Sequence, residues 1–166
     1  MFSDLCDDYV DFGNQKSERR YKSISKITIH HMAGNCNPRY CAEWHRDGNK
    51  DVSSNYYIGS DGSIVGGVSE SRRAWTSGNG DNDQSAITIE VANCSREPEW
   101  KVSDAAIESL IALCADICRR YDFELTWTGD DDGSLTTHDM FRDTDCPGPY
   151  LRRRMGAIAK AVNYRI

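Results

Sequence analysis

The sequence lacks the features that would place the protein in a membrane, on a nucleic acid or in the secretory pathway. No apolar run approaches the roughly 20 residues that a helix needs to cross a bilayer. Acidic residues outnumber basic ones by 26 to 20, and the net charge of −6 disfavours the basic surface that nucleic acids require. The first residues, MFSDLCDDYVDFG, are acidic where a signal peptide is basic and then apolar. We therefore expect no membrane insertion, no nucleic-acid partner and no signal peptide.

The sequence also lacks any CxxC pair, the spacing typical of zinc knuckles and redox-active thiols, although it contains seven cysteines. Without a signal peptide we expect most of these thiols to be reduced. Cys114 and Cys118 lie four positions apart on a predicted amphipathic helix and are expected to be buried apolar groups. Cys36 and Cys41 flank the start of another predicted helix, and the sequence leaves open whether they contact a neighbour.

Predicted strands and helices alternate along the 166 residues, which indicates an α/β fold with a central mixed sheet flanked by helices. This length suits a single domain, 1–166, and no repeat or linker interrupts it. The segment SISKITIHHMAG predicts a buried strand that delivers His30 and His31 at its end. The other predicted elements are a helix from Asn37-Pro38, a hairpin closed by Asp61-Gly62, a strand in AITIEVAN, a long helix from Ser103, a strand in FELTWTG, and a terminal helix over 149–163 with Arg152, Arg153 and Arg154 on its solvated side.

The segment TTHDMFRDTDCPGPYL places His138 and Cys146 eight positions apart, before the predicted terminal helix. A hydrolytic zinc site takes three protein ligands, commonly imidazole and sometimes thiolate, so a third ligand is needed. His45 is expected to be an exposed residue in the middle of a helix, which leaves His30 and His31. Because neighbouring residues on a strand face opposite sides, only one of these two would face a given site. Spacing alone does not distinguish such a site from residues scattered by chance.

Four segments, in this order, resemble the motifs of the type-2 N-acetylmuramoyl-L-alanine amidases: ITIHHMAG, SSNYYIGSDGSI, SAITIEVAN and THDMFRDTDCPG. This family includes phage endolysins and is related to peptidoglycan recognition proteins. The resemblance covers residues 20–162. It implies a zinc-dependent hydrolase that cuts the amide between N-acetylmuramic acid and L-alanine in bacterial peptidoglycan. Position by position, it implies that one zinc ion is held by His30, His138 and Cys146.

The resemblance also assigns a catalytic role to Glu90, in the strand ITIEV. On a strand, Glu90 faces away from Ile87, Ile89 and Val91. Its carboxylate would take a proton from the attacking water and pass it to the departing amine. The alternative is a strand glutamate that simply faces solvent.

Two positions depart from the family pattern. Some relatives carry a tyrosine where this chain has Ser54, and Tyr56 and Tyr57 are expected to be packing residues rather than its substitutes. Some relatives carry a lysine where this chain has Thr144, which we expect to donate a hydrogen bond to the oxyanion in place of the missing positive charge.

Substrate contacts are indicated less specifically. Trp75 lies in RRAWTSGN, where relatives have a loop that lines the groove, and it is a candidate for stacking on a sugar or a stem-peptide side chain. Asn55 is a second candidate for substrate binding, and Arg142 a weaker one.

Three other functions are open at this point. A recognition module would bind peptidoglycan without cutting it, but loss of catalysis in that family is typically seen at the cysteine position, which is present here as Cys146. A metal-independent cysteine hydrolase would use Cys146 with His138 and Asp139. A lysozyme would need a pair of carboxylates and is favoured least.

The resemblance to endolysins also bears on where the protein acts. We expect synthesis in the bacterial cytoplasm and action on the cell wall after release, with the help of a holin if the protein is an endolysin. The sequence does not indicate whether the chain forms oligomers or works with a separate wall-binding domain.

Overall fold

Two parallel strands form the centre of the sheet in the computed structural model, which describes residues 1–166. They are β3 (Lys26–His31) and β7 (Ala86–Val91), and they pair along their whole length. Both are almost entirely buried, which fits their content of β-branched residues. The sheet has six strands in the order β1-β5-β4-β7-β3-β8, and the four others are β1 (Asp8–Tyr9), β4 (Tyr56–Ile58), β5 (Ile64–Gly66) and β8 (Leu135–Thr137).

The pairing of β4 and β5 is antiparallel, as the Asp61-Gly62 turn predicts, while β3, β4, β7 and β8 are parallel to their partners in the centre of the sheet. The predicted mixed sheet flanked by helices is therefore confirmed. A separate ribbon pairs β2 (Ser17–Arg19) with β6 (Arg72–Ala74). The helices are α1 (Pro38–Asp47), α2 (Gly80–Ser85), α3 (Asp104–Tyr121), α4 (Pro149–Arg152) and α5 (Met155–Tyr164).

The two faces of the sheet carry different residues because side chains alternate along each strand. Ile29, Ile89 and Tyr56 lie on one face and belong to the main hydrophobic core, which α3 and α5 cover. Cys114 and Cys118 are fully buried in this core, as expected. His30, Glu90 and Tyr57 are aligned across the same three strands on the opposite face, against which α1 packs. This second face holds the candidate site.

None of the helices is long and apolar enough to cross a membrane.

Two predicted elements near the C-terminus are wrong. FELTWTG forms no strand, because β8 occupies the position beside β3 at the edge of the sheet. The segment is joined to β8 by one backbone hydrogen bond, in which Leu135 N–H donates to the carbonyl of Thr126. The terminal helix is broken into α4 and α5 by a turn at Arg153-Arg154, which keeps both Leu151 and Met155 in the core.

Arg152 also differs from its predicted solvated position. Its guanidinium lies over the Trp127 ring at 4.8 Å, donates to Thr137 Oγ1 at 2.7 Å and pairs with Asp139 at 3.3 Å. These contacts connect α4 to the end of β8 and to the turn that follows it.

The N-terminal segment is held by a buried carboxylate. Glu70 is fully buried, and its oxygens accept hydrogen bonds from Arg120 at 2.6 and 2.7 Å and from the hydroxyls of Tyr121 and Tyr56. The same Tyr56 hydroxyl accepts the backbone N–H of Ser3 at 2.8 Å. Glu70 therefore connects the N-terminus, β4 and α3.

This network predicts a selective loss of stability. Arg120→Met keeps the aliphatic stem but leaves the Glu70 carboxylate without its cation, so we expect the free energy of unfolding to fall by about 3 kcal/mol. Arg165→Met is the matched control, because its pair with Glu108 is largely exposed and should contribute less than about 1 kcal/mol. Urea unfolding of the two variants measures the difference, and equal stabilities would contradict it.

Candidate metal centre and active site

The three predicted metal ligands meet at one edge of the sheet. Strands β3 and β8 pair in parallel up to Ile29 and Thr137, so the next residues, His30 and His138, lie side by side. Their ring centroids are 4.6 Å apart. Cys146 reaches the same point from the loop before α4, with Sγ at 3.7 Å from His30 Nδ1. One ligand atom from each residue lies within 4.8 Å of the others.

Backbone contacts fix the position of Cys146. The N–H of His31 donates to its Sγ at 3.3 Å, and the N–H of Asp139 donates to its carbonyl at 3.0 Å. The Cys146 N–H donates to Thr144 Oγ1 at 3.3 Å. Thr144 therefore supports the cysteine loop, and its own hydroxyl proton is not used in this bond.

The three side chains are in an environment that disfavours charge in the absence of a metal. Burial lowers the pKa of His30 well below its ordinary value, with further contributions from nearby histidines, and lowers the pKa of His138. Burial also raises the pKa of the Cys146 thiol, and the nearby Glu90 carboxylate raises it further. Neutral imidazoles and a protonated thiol are thus the expected metal-free state.

Glu90 lies on the same sheet face, directly beside His30 in the register of β3 and β7. The residue is 7% exposed, and burial raises its pKa to about 8. Glu90 is therefore a nearly buried carboxyl group beside the candidate ligands and does not simply face solvent.

The other two histidines have distinct positions. His31 lies outside the ligand cluster and packs edge-on against Trp100, with ring centroids 5.0 Å apart. The prediction that His45 is exposed is wrong: it is 7% exposed, and its Nδ1 lies 2.9 Å from the Tyr57 hydroxyl. His45 is buried because it shares the inner face of α1 with Cys41 and Ala42.

Two cavities reach the centre and share no lining residue. We call the first the cationic cavity: its volume is about 370 Å³, it includes His138, and its charged lining consists of Lys50, Arg73 and Arg142 together with Asp51 and Asp83. We call the second the aromatic cavity: its volume is about 230 Å³, and its lining consists of His31, Met32, Cys36, Tyr40, Cys41, Trp44, His45 and Glu90.

The two predicted substrate contacts have different environments. Trp75 is half-buried in the wall of the cationic cavity, and its indole Nε1 has no hydrogen-bond partner in the protein. Asn55 is fully buried; it donates to Val68 O at 2.9 Å and accepts from Thr88 N–H at 3.1 Å. The substrate role predicted for Asn55 is therefore corrected to a structural one, because its side chain has no surface to offer a ligand.

A family model described as N-acetylmuramoyl-L-alanine amidase matches residues 20–149. The chain belongs to this amidase family. The resemblance predicted from the sequence is thereby confirmed, and family membership supports hydrolysis of an amide in peptidoglycan as the activity.

Solved structures have the same fold as this amidase. PlyL aligns with a TM-score of 0.74 at 17% identity, over 93% of this chain and 94% of PlyL. The endolysin amidase LysCS from Clostridium intestinale URNW aligns with a TM-score of 0.64 at 22% identity, over 92% of this chain and 96% of LysCS. The Staphylococcus aureus hydrolase AmiA, in complex with its ligand, aligns with a TM-score of 0.76 at 13% identity, over 95% and 82% of the two chains. No curated protein matches the sequence.

The aromatic cavity of this amidase was not predicted from the sequence. The signal was present in α1, where Tyr40 and Trp44 are one turn apart on one face while Cys41 and His45 are one turn apart on another. Two large aromatics on the outer face of an amphipathic helix beside the ITIHH strand could have indicated a binding surface.

Proposed function

We propose that this amidase hydrolyses the bond between N-acetylmuramic acid and L-alanine in bacterial peptidoglycan, with one zinc ion held by His30, His138 and Cys146. The observation that carries the proposal is the convergence of two imidazoles and a thiol within 4.8 Å, beside the nearly buried Glu90. We further propose that it acts as a phage or prophage endolysin, which would be released to the wall with the help of a holin.

The donor set fits zinc. Two imidazole nitrogens and one thiolate are ligands that Zn²⁺ prefers, and three protein ligands are the number found in catalytic sites. His30 Nε2 is buried and has no hydrogen-bond partner in the protein, an arrangement that is costly for a polar atom unless another partner is supplied. When bound, zinc would supply Lewis acidity toward the substrate carbonyl and lower the pKa of a water molecule.

The protein's own residues would provide the proton transfers. Glu90 would accept a proton from the attacking water and donate it to the amine of L-alanine as the amide bond breaks. The low polarity around Glu90 raises its pKa to about 8. With this pKa, Glu90 would hold the proton after taking it from water and before donating it to the amine. Thr144 would offer its hydroxyl proton to the oxyanion, while its oxygen accepts the Cys146 N–H.

The cationic cavity is suited to the stem peptide. In its lining, three cationic side chains, Lys50, Arg73 and Arg142, outnumber the two aspartates, in a chain whose net charge is −6, and stem peptides carry free carboxylates. Trp75 would pack against the peptide with the exposed part of its ring, because it is half-buried in the cavity wall.

The environment of the thiol argues against a cysteine hydrolase. A nucleophilic cysteine needs a lowered pKa, whereas burial and Glu90 raise the pKa of Cys146. A binding module that does not cut would have no use for Glu90 in this position, so the amidase is favoured over it as well.

Chelation tests the proposal. Purified peptidoglycan treated with the protein should show new N-terminal alanine amines and no new reducing ends. A chelator should abolish the new amines and zinc should restore them, because the proposed site has no activity without metal. Amines that persist in chelator would favour the cysteine hydrolase, and binding to the wall with no new ends would favour the recognition module.

A further inference from the structure

One lysine ammonium group binds the chain where it leaves α1. Lys16 Nζ donates to the carbonyls of His45 at 2.5 Å, Gly48 at 2.6 Å and Lys50 at 2.7 Å. These carbonyls lie at or just after the C-terminal end of α1, where unpaired carbonyl groups and the helix dipole favour a positive charge. An ammonium group has three protons to donate, so all the donors of Lys16 are used in this contact.

The turn that Lys16 binds, residues 48–52, receives no other hydrogen bond from a distant part of the chain. Its one internal backbone hydrogen bond joins Val52 N–H to Lys50 O at 2.9 Å. The same turn provides part of the lining of the cationic cavity, namely Lys50, Asp51 and Val52. The position of this wall of the cavity therefore depends on Lys16.

The backbone of Lys16 is connected to a second wall of the same cavity. Its carbonyl accepts the hydroxyl proton of Ser53 at 2.6 Å, and Ser53 Oγ accepts the N–H of Trp75 at 2.9 Å. The carbonyl of Ser53 also accepts the hydroxyl proton of Thr76 at 2.6 Å. Trp75 and Thr76 both line the cationic cavity. Lys16 thus connects two parts of the lining that are far apart in the sequence.

The residues next to Lys16 and its own backbone conformation support this connection. Strand β2 begins at Ser17 and pairs with β6, which ends one residue before Trp75. Glu18 pairs with Arg73 in the cavity lining at 3.1 Å. The backbone of Lys16 has a φ of 48°, a conformation in which lysine is less stable than glycine. The contacts of the ammonium group offset this cost.

We propose that Lys16 is a positioning residue for the cationic cavity. Its ammonium group fixes the turn that carries Lys50, and its carbonyl fixes Trp75 through Ser53. Lys16 itself does not line the cavity, so it acts on a ligand only through these neighbours. Because the two side chains are held before the ligand arrives, an acidic peptide binds at a smaller cost in conformational entropy. The identity of this ligand rests on the proposed function, whereas the positioning does not.

The kinetic test uses a soluble N-acetylmuramoyl peptide whose stem has free carboxylates. Lys16→Met should raise KM about tenfold, the size expected when two side chains must be ordered on binding. The value of kcat and the zinc content should not change, because β3, β7 and β8 position the ligands and Glu90 without Lys16. An unchanged KM, or a fall in kcat as large as the rise in KM, overturns the proposal.

The matched control is Lys26→Met. The ammonium group of Lys26 also donates to a backbone carbonyl, that of Asp131, but Lys26 lines neither cavity, so KM should remain at the wild-type value. Lys16→Gly separates the ammonium group from the backbone, because glycine accepts the positive φ and keeps the carbonyl. KM should rise in this variant as well. A glycine variant with the KM of the wild type would overturn the role of the ammonium group.

Amide hydrogen exchange measures the positioning without turnover. In Lys16→Met, the N–H groups of Val52 and Trp75 should exchange faster, while those of β3 and β7 keep their wild-type rates. Unchanged exchange at Val52 and Trp75, or equal acceleration throughout the sheet, overturns the positioning role. If the wild type cleaves no peptide amide but exchange changes as expected, the proposed function fails and the positioning role stands.

Discussion

Replacing Cys146 by serine should remove stoichiometric zinc and abolish amide hydrolysis while the protein remains folded. Changing a residue that merely supports a metal ligand typically costs 10- to 100-fold in affinity or activity, so the loss of a ligand should exceed about 100-fold. The fold should survive because Cys146 lies in a loop at the edge of the sheet, outside the main core of β3, β7 and α3.

Zinc content after dialysis, circular dichroism and release of alanine amines measure these three expectations. Cys94→Ser is the matched control, because Cys94 is an exposed free thiol and lines neither of the cavities that reach the centre. A Cys146→Ser protein that retains both full zinc and full activity would show that Cys146 is not a ligand. Retained activity with loss of zinc would show that the reaction does not need the metal.

Glu90→Gln should lower activity by about 10²- to 10⁴-fold with zinc content unchanged, which is the usual contribution of general acid–base catalysis. Glutamine has nearly the same shape and can occupy the same site, but it cannot take up the proton of the attacking water. The matched control is Glu124→Gln, which changes an exposed glutamate outside both cavities. An unchanged rate for Glu90→Gln would remove Glu90 from the mechanism.

Glu90→Gln should also change how the stability of the protein depends on pH, which can be measured without turnover. In the metal-free protein, burial raises the pKa of Glu90 from 4.5 to about 8, so the native state holds this proton to higher pH than the unfolded chain does. Glu90 therefore makes the native state lose stability as the pH rises through this window. Glutamine does not titrate, so metal-free Glu90→Gln should gain stability relative to wild type between pH 4.5 and 8. Thermal unfolding across this range measures the difference, and parallel curves would mean that Glu90 titrates normally.

The elements that were predicted correctly have a sequence pattern that either extends over many residues or marks a turn within a few residues. The strands ending at His31 and Val91 are six residues each, the Asp61-Gly62 turn marks its hairpin within a few residues, and α3 shows an apolar stripe over 18 residues. In contrast, β1 and β8 have two and three residues and are defined by pairing with distant strands. No local pattern identifies them, so the sequence predicts a strand in FELTWTG and not in the LTT segment that follows it.

In the candidate site, too, local sequence signals predicted some features, and contacts between distant residues determined the others. Spacing left His30 and His31 open as ligands, and the resemblance to the amidases favoured His30. In the structure, the register of β3 with β8 puts His30 beside His138, and only the backbone N–H of His31 contacts Cys146. His45 is buried because it shares the inner face of α1 with Cys41 and Ala42, and its contact with Tyr57 on a different element is not visible in the sequence.

The attachment of the N-terminus to the Glu70 network has a practical consequence for protein engineering. Glu70 N–H donates to the Met1 carbonyl at 3.2 Å, and the Met1 amino group donates to Ser69 Oγ at 2.9 Å. An affinity tag or targeting module fused ahead of Met1 would remove the charged amino group and add new chain beside Ser69 and Glu70. At the other end Tyr164 is 91% exposed, and Arg165 forms only a largely exposed pair with Glu108. A fusion after Ile166 is therefore the arrangement that leaves both the sheet and the candidate site undisturbed.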